Sequence, residues 1–275
     1  MSVMDARVVV FPFAAYFHFV GTIMYAKLPA LVWLAVCSFC AFTFAADAPG
    51  PGKQVSTSTT VKVTADDCER ESTLRYLLYL PVEYETKATA KWPLVLFLHG
   101  SGERGDDIEK VKIHGPPKLA SEGKEFPFVL VSPQCPTGSR WNAEELAKVV
   151  DVLTNTYRID RQRLYVTGLS MGGSGTWSLV AAYPDKFAAA MPLCGRGNLD
   201  AVETLAKTPT WVLVGDKDRA ETVQNCQEMA EALKKAGGEA KLTVYPDLPH
   251  DCWTVTYNNP EVYEWLLSHR LATPK

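Results

Sequence analysis

Between residues 59 and 245 the chain alternates short apolar runs with stretches whose apolar positions repeat at helical spacing. TTVKVT, with apolar and polar positions in turn, and the largely apolar LRYLLYLP look like an opening antiparallel pair. LVLFLHG, FPFVLVSP, RLYVTG, FAAAMPLCG, TWVLVG and AKLTVYP are nearly unbroken apolar runs, the pattern of strands buried on both faces. Helices are predicted over 143–156, 171–183, 199–206 and 221–236, with a last one over 260–269. Gly237 and Gly238 stop the fourth, because the position after a helix end favours left-handed backbone that glycine adopts freely. Strands alternating with helices predict an α/β fold whose mostly parallel sheet is covered on both faces. Sites on such a sheet form beyond the carboxyl ends of the strands. No internal repeat is visible.

The two ends read differently. Residues 59–275 carry the alternating pattern and form the expected folded domain, whereas 47–58 (DAPGPGKQVSTS) is polar and rich in Gly, Pro and Ser, as in a linker. Residues 1–46 read as a leader. From Met24, one cation (Lys27) precedes a charge-free apolar run, then small residues around Thr43, Ala45 and Ala46, which is the shape of a secretory signal peptide starting at Met24. Export to the cell exterior or a periplasm is expected. The alternative is an uncleaved anchor, since Leu28 to Ala46 is long enough to span a bilayer. Cys37 and Cys40 lie inside this apolar run and are assigned no chemistry.

With 275 residues, 47% of them hydrophobic and 21% charged, one large core is expected. A net charge of -3 without like-charge runs argues against a nucleic-acid partner. Beyond the leader stand Cys68, Cys135, Cys194, Cys226 and Cys252, whose spacing fits no zinc pattern, so no metal is expected. They read as small buried side chains, with one or two bridges permitted by export.

The chemistry concentrates at Val166-Thr167-Gly168-Leu169-Ser170-Met171-Gly172-Gly173, a strand, a G-x-S-x-G turn and a small-residue start to a helix. Ser170 is the candidate nucleophile, held at a sharp corner that needs glycine on either side. The Met171 N–H, in the first helical turn, is open to a developing oxyanion. Of the five histidines, His18 lies in the leader, His99 ends a strand, His114 lies in an upstream loop and His269 in the last helix. His250, in the polar loop LPHDCW after the last strand, is the candidate base. The orienting acid is expected after TWVLVG, where Asp218 is favoured over Asp216, the latter being close enough to the glycine turn to cap it. LFLHGSGERGDD offers the Ser101 N–H as a second oxyanion donor, with Glu103, Arg104 and Asp106 expected to pair and stiffen the loop. Trp141 is a candidate aromatic wall for the substrate or a packing residue, Trp177 a core residue, and Trp253 a support for the histidine loop.

LFLHGSGERG, SPQCP, GLSMGGSGTW, YPDKFAAAMPLCG, GDKD and LPHDCW, in that order over residues 60–270, resemble the secreted esterases of the α/β-hydrolase superfamily. Within it the chain is similar to the phospholipase/carboxylesterase and polyhydroxybutyrate-depolymerase-like group, which includes feruloyl and acetylxylan esterases. The resemblance implies a three-layer fold on an eight-stranded sheet and a Ser170, Asp218, His250 triad. It also implies an oxyanion hole after His99-Gly100, no metal or cofactor, and cleavage of a carboxylic ester, free or polysaccharide-linked, through an acyl-enzyme. Many members have a valine-proline pair soon after the acid, whereas here Arg219-Ala220-Glu221-Thr222 follows. Two rivals remain: a prolyl-oligopeptidase-type peptidase, and a binding protein on the same scaffold without catalysis.

Overall fold

The computed structural model describes residues 50–65 and 68–272. The leader, with Met24, its cleavage site, Cys37 and Cys40, lies outside them. All eight apolar runs are strands: β1 (Gln54–Ala65), β2 (Cys68–Tyr79), β3 (Trp92–Leu98), β4 (Val129–Pro133), β5 (Ile159–Leu169), β6 (Ala189–Leu193), β7 (Thr210–Gly215) and β8 (Ala240–Tyr245). They form one sheet in the order β1-β2-β4-β3-β5-β6-β7-β8. β2 runs antiparallel to both β1 and β4, and every other pair is parallel. Every residue of β3, β4, β6 and β7 is buried, so the centre of the sheet is covered on both faces, as the unbroken apolar runs require.

β1 corrects the expected linker. It begins at Gln54, inside 47–58, and pairs with β2 from Gln54 opposite Tyr79 to Ala65 opposite Cys68. Its even positions Ser56, Ser58 and Thr60 face solvent while Val55, Thr57 and Thr59 are half-buried. An edge strand needs only one inward face, and β-branched threonine suits a pleated surface, so a polar composition concealed a strand.

The helices are α1 (Gly115–Ser121), α2 (Ala143–Thr156), α3 (Met171–Ala182), α4 (Val202–Leu205), α5 (Ala220–Lys235), α6 (Trp253–Asn258) and α7 (Pro260–Ser268). α2 starts where Asn142 accepts a hydrogen bond from the Glu145 N–H at 3.0 Å, with Glu144 and Glu145 in the positive first turn. α5 ends as expected. Gly237 sits at φ 81, its N–H donates to Lys234 O at 3.0 Å, and the Gly238 N–H reaches Leu233 O at 2.9 Å, closing the last turn. The helix expected over 199–206 is split into a 3-10 turn (Leu199–Ala201) and the short α4. α1 begins in the stretch read as a loop around His114, and its Pro116 and Pro117 fit a first helical turn, whose N–H groups have no acceptor.

All five described cysteines are free, Cys68 exposed and the others buried, which corrects the expectation of one or two bridges. Among the described residues no helix is long and apolar enough to cross a membrane.

Candidate active site

Four parallel strands deliver the candidate residues to one edge of the sheet: β5 leads directly to Ser170, β3 to His99-Gly100-Ser101, β7 to Asp218 and β8 to His250. Ser170 has φ 55 and ψ -113, a left-handed conformation rare for a residue with a side chain. Its N–H donates to Leu193 O at 2.9 Å and its carbonyl accepts from the Ser174 N–H, so both peptide groups flanking the strained residue are anchored. The corner also needs Gly172: a Cβ there would stand 1.8 Å from Leu98 O, the last residue of the neighbouring strand.

Asp218, Ser170 and His250 meet. The His250 Nδ1 lies 2.7 Å from Asp218 Oδ2 and its Nε2 lies 2.9 Å from Ser170 Oγ. An ionised carboxylate only accepts, so Nδ1 carries the proton and Nε2 is left to accept from the serine hydroxyl. The Asp218 side chain is 1% exposed, and its other oxygen accepts the Arg219 N–H at 2.7 Å. Asp216 is exposed and takes no part, its N–H holding Tyr245 O. Trp253 meets the His250 ring edge-on at 5.4 Å, the support expected of it.

Ser101 and Met171 both line the cleft that contains Ser170, as the oxyanion reading requires. His99 stands behind this loop, fully buried. Its Nδ1–H donates to Gly100 O at 2.6 Å, and its Nε2 accepts the Cys135 N–H at 3.0 Å. Burial, opposed by the Gly100 bond and aided by Arg104, lowers its pKa from 6.5 to about 4, so the ring is neutral. The Gly100 carbonyl and the Ser101 N–H belong to one peptide plane, so the ring also fixes the direction of that donor.

One expectation is corrected here, and of the two readings of Trp141 the packing one matches its contacts. Glu103, Arg104 and Asp106 form no ion pairs with one another among the described residues. Arg104 instead donates to Ser101 O at 3.0 Å and to Ser139 O at 3.1 Å, while Glu103 is buried near His99 and His114. Trp141 is not part of the cleft lining. Its half-buried ring packs on His99 at 4.8 Å, leaves no room for a Cβ at Gly175, and donates to His99 O at 3.2 Å.

Sequence reasoning missed three features of the site. Cys194, just beyond β6, has φ 42 and is buried beside the triad, its sulfur within 4.8 Å of the Asp218 and His250 ligand atoms. Burial pushes its thiol up, and a hydrogen bond with Cys252 acts in the same direction, so it stays protonated and unsuited to a cation. His99 was read only as a strand end. The cleft, of about 310 Å³, is also lined by Arg104, Arg140, Arg196 and Arg219, residues far apart in the chain that no local motif links.

A protein-family model, the dienelactone hydrolase family, matches residues 137–261. A thermostable esterase of known structure superimposes with a TM-score of 0.63 at 30% identity, over 78% of this chain and 63% of that one. The chain is an α/β-hydrolase. Among α/β-hydrolases and related enzymes, it is 30% identical over 149 residues to a bifunctional acetylxylan esterase/xylanase of Neocallimastix patriciarum, covering 52% of this chain and 21% of the relative. It is 31% identical over 179 residues to a poly(3-hydroxybutyrate) depolymerase of Ralstonia pickettii, covering 57% of this chain and 36% of that one. The α/β-hydrolase described here thus spans well under half the length of these curated relatives.

Proposed function

We propose that this α/β-hydrolase is a serine esterase acting through an acyl-enzyme. The observation that carries the reading is the continuous contact from Ser170 Oγ through the His250 ring to Asp218. His250 takes the Ser170 proton as the oxygen attacks the ester carbonyl, and Asp218 stabilises the resulting imidazolium. The Ser101 and Met171 N–H groups hold the oxyanion, each worth about a hundred- to a thousandfold in rate. His250 then protonates the departing alcohol, and water repeats the cycle on the acyl group. The esterase and depolymerase relatives support ester rather than peptide cleavage. A fluorophosphonate probe should label Ser170, and Ser170→Ala should lower kcat by roughly a millionfold with the Tm nearly unchanged. Normal turnover in that variant would end the proposal.

The catalytic domain then includes everything from β1 at Gln54 through α7, and the stretch from Met24 to Ala46 acts as its export signal. N-terminal sequencing of exported protein should begin just after Ala46; a mature chain starting at Met1 would overturn the cleavage.

A further inference from the structure

Trp253 stands between two histidines. Its ring meets the His250 ring edge-on, and on another side the His114 ring lies tilted against it with the centroids 5.4 Å apart. The indole N–H is buried without a hydrogen-bond partner, so packing alone sets where this ring sits.

His114 is anchored in its turn. Gly115, the next residue, has φ 67, and a Cβ there would stand 2.6 Å from a Phe97 ring atom, so the backbone beside His114 has little room to shift. The His114 Nε2 lies 3.8 Å from Glu103 Oε1, an ion pair whenever the imidazole carries both its protons. The Glu103 side chain is 8% exposed, its Oε2 has no hydrogen-bond partner, and its main-chain carbonyl is held by the Gln134 side chain at 3.0 Å. Glu103 ends the 3-10 turn that Ser101 begins. One line of contacts therefore runs from the oxyanion loop through Glu103, His114 and Trp253 to the His250 ring.

The proposed cycle asks much of that ring's direction. Nε2 must first accept the Ser170 proton and then deliver it to a leaving oxygen at a different place, so a small swing of the imidazole spoils both transfers. The Asp218 hydrogen bond pins the ring at Nδ1 only. A ring pinned at one atom can still turn about it, and the Trp253 contact limits that turn.

We infer that His114 is a positioning residue for the general base: backed by Glu103, it holds the Trp253 ring against His250 and keeps Nε2 aligned. His114 is not among the residues that line the cleft and acts through Trp253. The inference rests on the esterase reading and adds a residue to that same site.

The test compares ethyl acetate with 4-nitrophenyl acetate on the full purified chain, with working sites counted by fluorophosphonate labelling. Both esters give the same acyl-enzyme, but ethoxide needs the proton that His250 delivers, whereas 4-nitrophenolate leaves without one. Per labelled site, His114→Ala should lower kcat/KM about tenfold or more for ethyl acetate and only about threefold for the nitrophenyl ester. His114→Phe puts a flat ring back against Trp253 and should restore the ratio of the two values to within about twofold of wild type. In a Trp253→Leu background, His114→Ala should change that ratio by less than about twofold, because the contact it acts through is already gone. No loss, equal losses on the two esters, or the same change of ratio with and without Trp253 would overturn the positioning role and leave the esterase reading standing. A wild-type chain that neither labels at Ser170 nor cleaves either ester would overturn both.

Discussion

His99 has no direct part in the proposed chemistry, yet its hydrogen bonds hold the loop that supplies one oxyanion donor. Its pKa of about 4 in the folded protein, against 6.5 when solvated, means that the unfolded chain binds a proton before the native one does. Stability attributable to this ring is therefore intact above about pH 6.5 and falls as the pH drops toward 4, by about 3 kcal/mol in all. Denaturant midpoints measured from pH 7 to pH 4 should show this loss, and His99→Gln should flatten that part of the curve. The triad residues were legible in the sequence because each stands in a short local pattern, after an apolar run and beside a glycine or polar turn. The histidine's tautomer and the arginine-lined cleft were not, since both depend on distant residues that only folding brings together.

At the level of elements, the strand-to-helix corner and the end of α5 use glycine for opposite reasons. Gly172 lacks space: a methyl group would meet Leu98 O at 1.8 Å, so Gly172→Ala must push β3 and α3 apart and should cost about 3 kcal/mol or more, read from the denaturation midpoint. Gly237 has open space around it and is needed only for its backbone, at φ 81. Gly237→Ala should accordingly cost about 1 kcal/mol with no change in activity. Apolar periodicity located α2, α3 and α5 to within a residue and found every strand, but β1, β2 and β5 begin four to six residues earlier than the apolar runs, because their first residues are polar or charged, and β4 begins three residues later than its run. It failed where composition hid geometry, in the serines and threonines of β1, and it missed α1, which begins in a stretch read as a loop.

The whole molecule draws its cohesion from the buried sheet and its helices, with no covalent cross-link among the described residues. Of the cysteines described, only Cys68 should react with Ellman's reagent in the native state. Cys135, Cys194, Cys226 and Cys252 should react only on unfolding, and reductant should leave the Tm unchanged. The strand order also divides the site along the chain. In the proposed mechanism, everything up to β6 supplies the nucleophile and the oxyanion donors, and everything from β7 onward supplies the acid and the base. A chain severed in the turn between α4 and β7 would yield two halves, each inert alone. Hydrolysis would return only when the halves reassociate along the β6–β7 seam, so the protein could serve as a two-part reporter whose signal depends on the fragments finding each other.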